Sequence, residues 1–207
     1  EVFFFIAAIW MSGLLGKNEQ ASNQIALNLS SMTFMVAMGF SVVAMIRVGE
    51  MFGKSDIISL KRIAYSLFLI ILLFDLFFCV IFILFNEYLP WIYLSKTVDK
   101  SISDVFQVIE ISSKLIMISG VFQIFDGLQA VVLGALRGIQ DVFIPTVLIF
   151  IAYILIGLPV SYYLGLNTHL GVVGIWFGLL IGLVSSSIFL LLRFRYDLNF
   201  IFNKKVI

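Results

Sequence analysis

Residues 142–192 read VFIPTVLIFIAYILIGLPVSYYLGLNTHLGVVGIWFGLLIGLVSSSIFLLL and contain no Asp, Glu, Lys or Arg. About 20 apolar residues cross the ~30 Å hydrocarbon core of a bilayer as one helix, so this stretch is long enough for two. The segment 165–171 contains two glycines and Asn167, which favour a turn. The stretch therefore predicts two spanning helices, near 142–165 and 171–195.

Four further stretches toward the N-terminus are almost free of charge. They predict helices near 1–14, 20–50, 58–86 and 104–136. The first is too short to cross a bilayer, and we expect it to be a truncated helix at a cut edge of the sequence. Even spacing and short loops favour a helical bundle over a barrel of ~10-residue strands. The predicted fold class is therefore all-α, a polytopic membrane bundle of six transmembrane helices.

The composition supports a membrane protein. The chain of 207 residues is 62% apolar and 12% charged, with a mean hydropathy of +1.14. An ordinary soluble domain is about 45–50% apolar and about 25% charged. A net charge of +1 gives no field for nucleic acid, and the single cysteine excludes an intrachain disulfide and a cysteine-based zinc site. No catalytic or cofactor motif is present, so we expect neither an enzyme nor a cofactor.

Basic residues in the connections predict the orientation, because cytoplasmic loops are enriched in Lys and Arg. One side of the membrane receives Lys17, Lys96 and Lys100. The other side receives Arg47, Lys54, Lys61, Arg62, Arg137, Arg193, Arg195, Lys204 and Lys205. Three against nine predicts a cytoplasmic C-terminus. Residues 197–207 would then form a cytoplasmic tail.

Three acids lie within the apolar stretches, where a charge costs at least ~2.5–3.5 kcal/mol. At about 1.5 Å of rise per residue, Asp126 lies about 17 Å before Arg137, and Glu1 lies about 24 Å before Lys17. A carboxyl group at mid-membrane either takes up a proton or binds a cation. We therefore expect Glu1 and Asp126 to bind the cation of an ion-coupled transporter. Asp75 lies among phenylalanines, which favours a tolerated neutral acid.

Other polar and bending residues complete the candidate site. Gln20, Gln24, Asn28 and Ser31 follow one face of the second helix, either lining a water-filled cavity or joining helices. The candidate cavity-lining residues are Gln24, Asn28, Phe122, Gln123 and Tyr153. Pro159 lies inside the fifth helix and removes the bond to the Leu155 carbonyl, so it is a candidate hinge. Glycines at four-residue spacing, Gly134 with Gly138 and Gly174 with Gly178 and Gly182, predict close helix packing.

Several motifs, in this order and spacing, resemble the multidrug and toxic compound extrusion (MATE) transporters of the NorM-like branch. They are Asn23-Gln24-Ile25-Ala26-Leu27-Asn28, Arg47-Val48-Gly49 with Gly53, Asp126 to Gln129, Gly134-Ala135-Leu136-Arg137-Gly138, Gly157-Leu158-Pro159 and Gly174-Ile175-Trp176-Phe177-Gly178. The family has twelve helices in two six-helix lobes. The resemblance spans nearly all of 1–196 and implies that these residues form the C-terminal lobe, helices seven to twelve.

The resemblance implies a multidrug efflux antiporter that exports cationic or amphipathic compounds in exchange for Na⁺ or H⁺. Glu1 and Asp126 resemble the family's cation site, which would also be the only place for a metal ion, Na⁺. Sodium-coupled members often have a Tyr four residues before this Asp; Phe122 offers no oxygen, which moves the expectation toward protons. The implied partners are the N-terminal lobe, the exported compounds and membrane lipid.

Two alternatives remain open. A lipid-linked oligosaccharide flippase of the same superfamily would need basic side chains facing its cavity, and this lobe has none at mid-depth. A non-transporting membrane half-protein would tolerate apolar replacement of its polar ladder and both acids.

Overall fold

The computed structural model describes the backbone of residues 2–94 and 102–205, and every regular element in these ranges is helical. The elements are α1 (Val2–Leu15), α2 (Lys17–Gly53), α3 (Ile57–Leu84), α4 (Trp91–Leu94), α5 (Ile102–Gly138), α6 (Phe143–Phe150), a π-helical segment (Ile151–Gly157), α7 (Leu158–Leu166) and α8 (Val172–Lys205). Five stretches are long and apolar enough to cross a membrane, and α1 is a shorter apolar helix. This confirms the predicted all-α membrane bundle.

Two helix boundaries differ from the prediction. Only Gly16 separates α1 from α2, where a five-residue connection was expected. Its φ of 155° is one that glycine adopts without strain, which allows the chain to reverse in a single residue. At the other end, α8 continues to Lys205 beyond the expected end at 195. Asp197 and Leu198 are buried, so this extension packs against the bundle.

Helix α5 is the centre of the bundle and packs against α2, α3 and α8. Glycine allows the backbones of α2 and α5 to approach closely. A Cβ added to Gly134 would lie 2.7 Å from the Ser41 Oγ and 2.9 Å from the Ser41 carbonyl carbon. A Cβ on Gly138 would lie 2.7 Å from the Met45 carbonyl oxygen. The close packing predicted at these glycines is confirmed, because neither site has room for a side chain.

The predicted fifth helix is one apolar span, Phe143–Leu166, with a π-helical segment at its middle. The N–H of Leu158 donates to the carbonyl of Tyr153, five residues earlier instead of four. Pro159 follows in the first turn of α7, where its missing N–H is tolerated. The helix thus widens just before the proline. π-Helical segments are frequent at functional sites, while the hinge role of Pro159 stays a prediction.

Candidate functional site

Three polar side chains at three-residue spacing on α5 form the centre of the candidate site. They are Gln123, Asp126 and Gln129, which are 3%, 4% and 1% exposed. At about 100° per residue, Gln123 and Gln129 are rotated about 60° to opposite sides of Asp126. Because α5 is central, each of the three faces a different part of the bundle. Burying polar groups in this way is tolerated only where neighbouring helices offer partners.

Asp126 faces a cavity of about 380 Å³ between α1, α2 and α5. The lining residues are Phe5, Ile6, Ile9, Gln24, Leu27, Asn28, Ser30, Ser31, Phe34, Phe122 and Asp126. Among these described lining residues, Asp126 is the only ionisable one. Gln24, Asn28 and Phe122, three of the predicted cavity-lining residues, lie here, and the Gln24 Nε2 donates to the Asn28 Oδ1 at 3.3 Å. The structure therefore combines an acid, amides and aromatic rings around one space.

Gln123 was expected to line the cavity, but it faces the interface of α2, α3 and α5. Its Oε1 accepts a hydrogen bond from the Thr33 Oγ1 at 2.8 Å. Its Nε2 donates to the backbone carbonyl of Asp75 at 3.5 Å. The physical reason is helical rotation: Phe122 and Asp126 are four residues apart and share a face, whereas Gln123 is turned away. Gln123 therefore joins helices in this structure.

Tyr153 lies at a second, largely apolar cavity of about 510 Å³, which α1 separates from the first. Its hydroxyl oxygen accepts from the Gln129 Nε2 at 2.6 Å and donates to the Gln129 Oε1 at 2.8 Å. Its ring stacks on Phe4, with ring centroids 4.7 Å apart. Tyr153 therefore lines a cavity, but not the one that Asp126 lines. The side chain instead connects the π-helical segment to α5, one turn beyond Asp126.

Asp75 is buried between α3 and α5, with 1% of its surface exposed. Its carboxyl group lies against Gly127, where an added Cβ would be 2.9 Å from the Asp75 carboxyl carbon. The Asp75 Oδ2 has no hydrogen-bond partner among the described residues. The sequence showed the phenylalanines around Asp75 but not this docking onto a glycine next to Asp126. The role of Asp75 as a tolerated neutral acid stays a prediction.

Two buried contacts that sequence analysis missed hold the cavity wall in place. The Trp176 Nε1 donates to the Asn23 Oδ1 at 2.8 Å, and both residues are fully buried. The Ser30 and Ser119 hydroxyls share a hydrogen bond of 2.5 Å between α2 and α5. The sequence did contain a signal for the first bond, because Asn23 stands beside Gln24 in the motif that runs from Asn23 to Asn28. These bonds fix the face of α2 that presents Gln24 to the cavity.

Glu1, the second predicted cation ligand, lies outside the described residues, as do Lys96 and Lys100 of the predicted outer loop. Within the described ranges, no group of three or more His, Cys, Asp or Glu side chains could hold a metal ion. The oxygen donors that the described cavity wall offers near Asp126 are amide and hydroxyl groups, Gln24, Asn28, Ser30 and Ser31. The cation-binding role of Glu1 and Asp126 stays a prediction.

Comparison with known proteins identifies the family. The MatE family model matches residues 1–163. The probable multidrug resistance protein NorM of Rhizobium meliloti is 36% identical over 194 residues, 94% of this chain and 41% of that protein. The multidrug resistance protein NorM of Photobacterium profundum is 32% identical over 200 residues, 95% of this chain and 42% of that protein. The chain therefore spans less than half the length of these relatives.

Solved structures share the fold. The crystal structure of the eukaryotic MATE transporter AtDTX14 superposes with a TM-score of 0.83 at 19% identity, covering 97% of this chain and 44% of that one. At this identity the likeness shows the fold alone. Together with the match of the family model over most of the chain, it confirms the resemblance: this integral membrane chain belongs to the MatE family.

Proposed function

We propose that the chain is the C-terminal lobe of a cation-coupled multidrug efflux antiporter, in which α8 continues beyond residue 196, where a separate tail of residues 197–207 was expected, and ends on the cytoplasmic side. The observation that carries the proposal is Asp126, a buried acid and the only ionisable group among the described lining residues of its cavity. The names of the relatives, multidrug resistance proteins, support the substrate class. The bacterial relatives also support an inner-membrane location. The excess of Lys and Arg on one side of the membrane supports a cytoplasmic C-terminus.

The chemistry of the cavity suits an exchange of cations. A cation stabilises a carboxylate in a low-dielectric site, so Asp126 offers a binding site both to the coupling cation and to a cationic compound. Competition for one negative charge makes the two occupancies exclusive. Phe5, Phe34 and Phe122 line the same space and offer ring faces to flat organic cations, which bind to aromatic rings. Exchange then follows from competition for Asp126 beside the aromatic wall.

The coupling ion follows from the oxygens near Asp126. Phe122 is one helical turn before Asp126, lines the cavity and carries no oxygen. A proton needs only the carboxylate, whereas Na⁺ needs several oxygen ligands, which Gln24, Asn28, Ser30 and Ser31 would have to supply in place of residue 122. We therefore favour protons, with Glu1 as the second acid of the site. A flippase for lipid-linked oligosaccharides gains no support, because no Lys or Arg is among the described lining residues.

The partner lobe completes the site. The chain covers 41% to 42% of the NorM relatives, which leaves room for a second lobe of similar size. Gln24 and Asn28 are exposed at the open side of the cavity, where polar groups in a lipid-facing position are costly. We propose that the N-terminal lobe covers this side and that rocking of the two lobes moves the compound across the membrane.

The proposal is tested with the full-length protein reconstituted in liposomes. Efflux of a cationic dye is driven by a proton gradient and, separately, by a sodium gradient, for the native protein and for Asp126→Asn. The matched control is Glu110→Gln, which removes an exposed acid from the same helix, where it pairs with Lys114. We expect Asp126→Asn to abolish gradient-driven efflux and Glu110→Gln to keep it.

Folding is checked by thermal unfolding of each purified variant. If a folded Asp126→Asn protein transports as fast as the native one, Asp126 is not the coupling acid. If neither gradient moves dye in the folded native protein, the antiporter proposal is wrong. The flippase or half-protein alternative then takes its place.

A further inference from the structure

A compact cluster of charged groups lies where α5 and α8 end, at the opposite end of α5 from α4. The Arg193 Nε donates to the Asp141 Oδ2 at 2.7 Å, and the Arg193 Nη2 lies 3.0 Å from the Asp197 Oδ1. The side chains of the three residues are only 12% to 21% exposed. Asp141 belongs to the short connection after α5, so the cluster ties this connection to α8.

The charges in this cluster do not balance. Two carboxylates face one guanidinium, which leaves one negative charge when both acids are ionised. Taken as a whole residue, Asp197 is 8% exposed, and its Oδ2 is buried without a hydrogen-bond partner among the described residues. Because one guanidinium contacts both carboxyl groups, the Asp141 and Asp197 carboxyl groups lie close together. Two carboxylates have only acceptors, so a bond between them needs one proton.

The cluster borders a cavity of about 230 Å³. The lining residues are Phe52, Ile139, Gln140, Asp141, Arg193, Asp197 and Phe200. The wall from α2, Phe52, is apolar, and α8 adds Phe200 besides Arg193 and Asp197. Among the described lining residues, the only charged groups that face Asp197 are therefore Arg193 and Asp141.

We propose that Asp141 and Asp197 form a proton-binding site, in which Arg193 neutralises one carboxylate and a shared proton neutralises the other. With the proton bound, the cluster is neutral and holds the connection after α5 against α8. Loss of the proton leaves a buried negative charge and weakens this docking. The site lies apart from Asp126 and does not depend on the proposed transport function.

The site makes a pH-dependent contribution to stability. A proton that the folded protein binds and the unfolded chain does not stabilises the fold at low pH and is lost as the pH rises. Unfolded Asp titrates near pH 3.9, so the contribution declines above that value. Asp197→Asn keeps the shape of the neutral acid and removes its titration. The thermal midpoint of the native protein should therefore fall, relative to Asp197→Asn, between about pH 5 and about pH 9.

The direct test is an infrared difference spectrum of the full-length protein in lipid. The spectrum of the Asp197→Asn variant is subtracted from that of the native protein. The other buried acids, Asp75 and Asp126, cancel in this difference. We expect the carbonyl band of a protonated carboxylic acid at about pH 5 and its loss by about pH 9. The matched control is Glu50→Gln, an exposed acid paired with Arg47 and Lys54, which should give no such band.

A second variant and a salt series make the outcome decisive. Asp141→Asn removes the other half of the pair and should abolish the same band, even if Asp197→Asn fails to fold. If neither variant removes an acid band from the native spectrum at about pH 5, both carboxylates are ionised at that pH and the proposal is wrong. If NaCl at constant pH removes the band or raises the midpoint of the native protein alone, the site binds a metal cation instead of a proton.

Discussion

Gly134→Ala tests the close approach of α2 and α5 that holds the bundle together. The new Cβ would lie 2.7 Å from the Ser41 Oγ and 2.9 Å from the Ser41 carbonyl carbon. The Ser41 hydroxyl donates to the Ala130 carbonyl at 2.6 Å, so the side chain cannot turn away without losing this bond. The backbone contact can be relieved only by moving one helix from the other.

The expected cost follows from overpacking and from helix propensity. Forcing an extra methyl group into a packed interface costs about 1–3 kcal/mol. Replacing Gly by Ala inside a helix stabilises the helix by about 0.8–1.0 kcal/mol. Gly39→Ala is the matched control, because Gly39 lies on α2 with no atom within 4 Å of an added Cβ. The difference between the two variants isolates the overpacking cost of about 1–3 kcal/mol.

The assay is thermal unfolding of the purified full-length protein in detergent. We expect a lower midpoint for Gly134→Ala than for the native protein, and an unchanged or higher midpoint for Gly39→Ala. Equal midpoints for both variants would refute the conclusion that the backbones of α2 and α5 are in contact at Gly134. A larger loss in the Gly39 variant would show that this position is covered in the complete protein.

Two further predictions concern the site. Tyr153→Phe removes the hydroxyl that bonds the Gln129 amide, so we expect a loss of about 1–3 kcal/mol in unfolding free energy. Tyr163→Phe, at an exposed position of α7, is the control, and equal stability of the two variants contradicts the prediction. Phe122→Tyr adds an oxygen one turn before Asp126 and should raise the ratio of sodium-driven to proton-driven dye efflux. Phe34→Tyr adds an oxygen elsewhere in the same cavity and should leave this ratio unchanged. If Phe122→Tyr also leaves the ratio unchanged, an oxygen at position 122 does not favour sodium.

The helices could be predicted because their cause is local. A charge-free run of about 20 residues has few alternatives to a spanning helix. The same runs made Asp126 conspicuous, since an acid stands out where every neighbour is apolar. Gln24 and Asn28 followed because the pitch of a helix fixes which residues share a face, whereas Phe122 followed from the family resemblance. These predictions needed no knowledge of which helices are neighbours.

The features that were missed depend on contacts between distant residues. The π-helical segment forms where Tyr153 meets Phe4 and Gln129, which belong to other helices. Charged residues begin at Arg193, and this change in composition predicts that α8 ends near residue 195. In the structure Arg193 pairs with Asp141, 52 residues away in sequence, so the charges continue the packed helix. Sequence spacing alone contains no signal for such a pair.

The packing of α5 also indicates where a change of charge at Asp126 can act. On the sides of α2 and α3, backbone approaches at Gly134, Gly138 and Gly120 leave no room for sliding, since close-packed interiors resist small displacements. On the cavity side, α1 faces Asp126 with Phe5, Ile6 and Ile9 across open space. We therefore expect neutralisation of Asp126 to be accommodated by α1 and the partner lobe, while α2, α3 and α5 move as one unit.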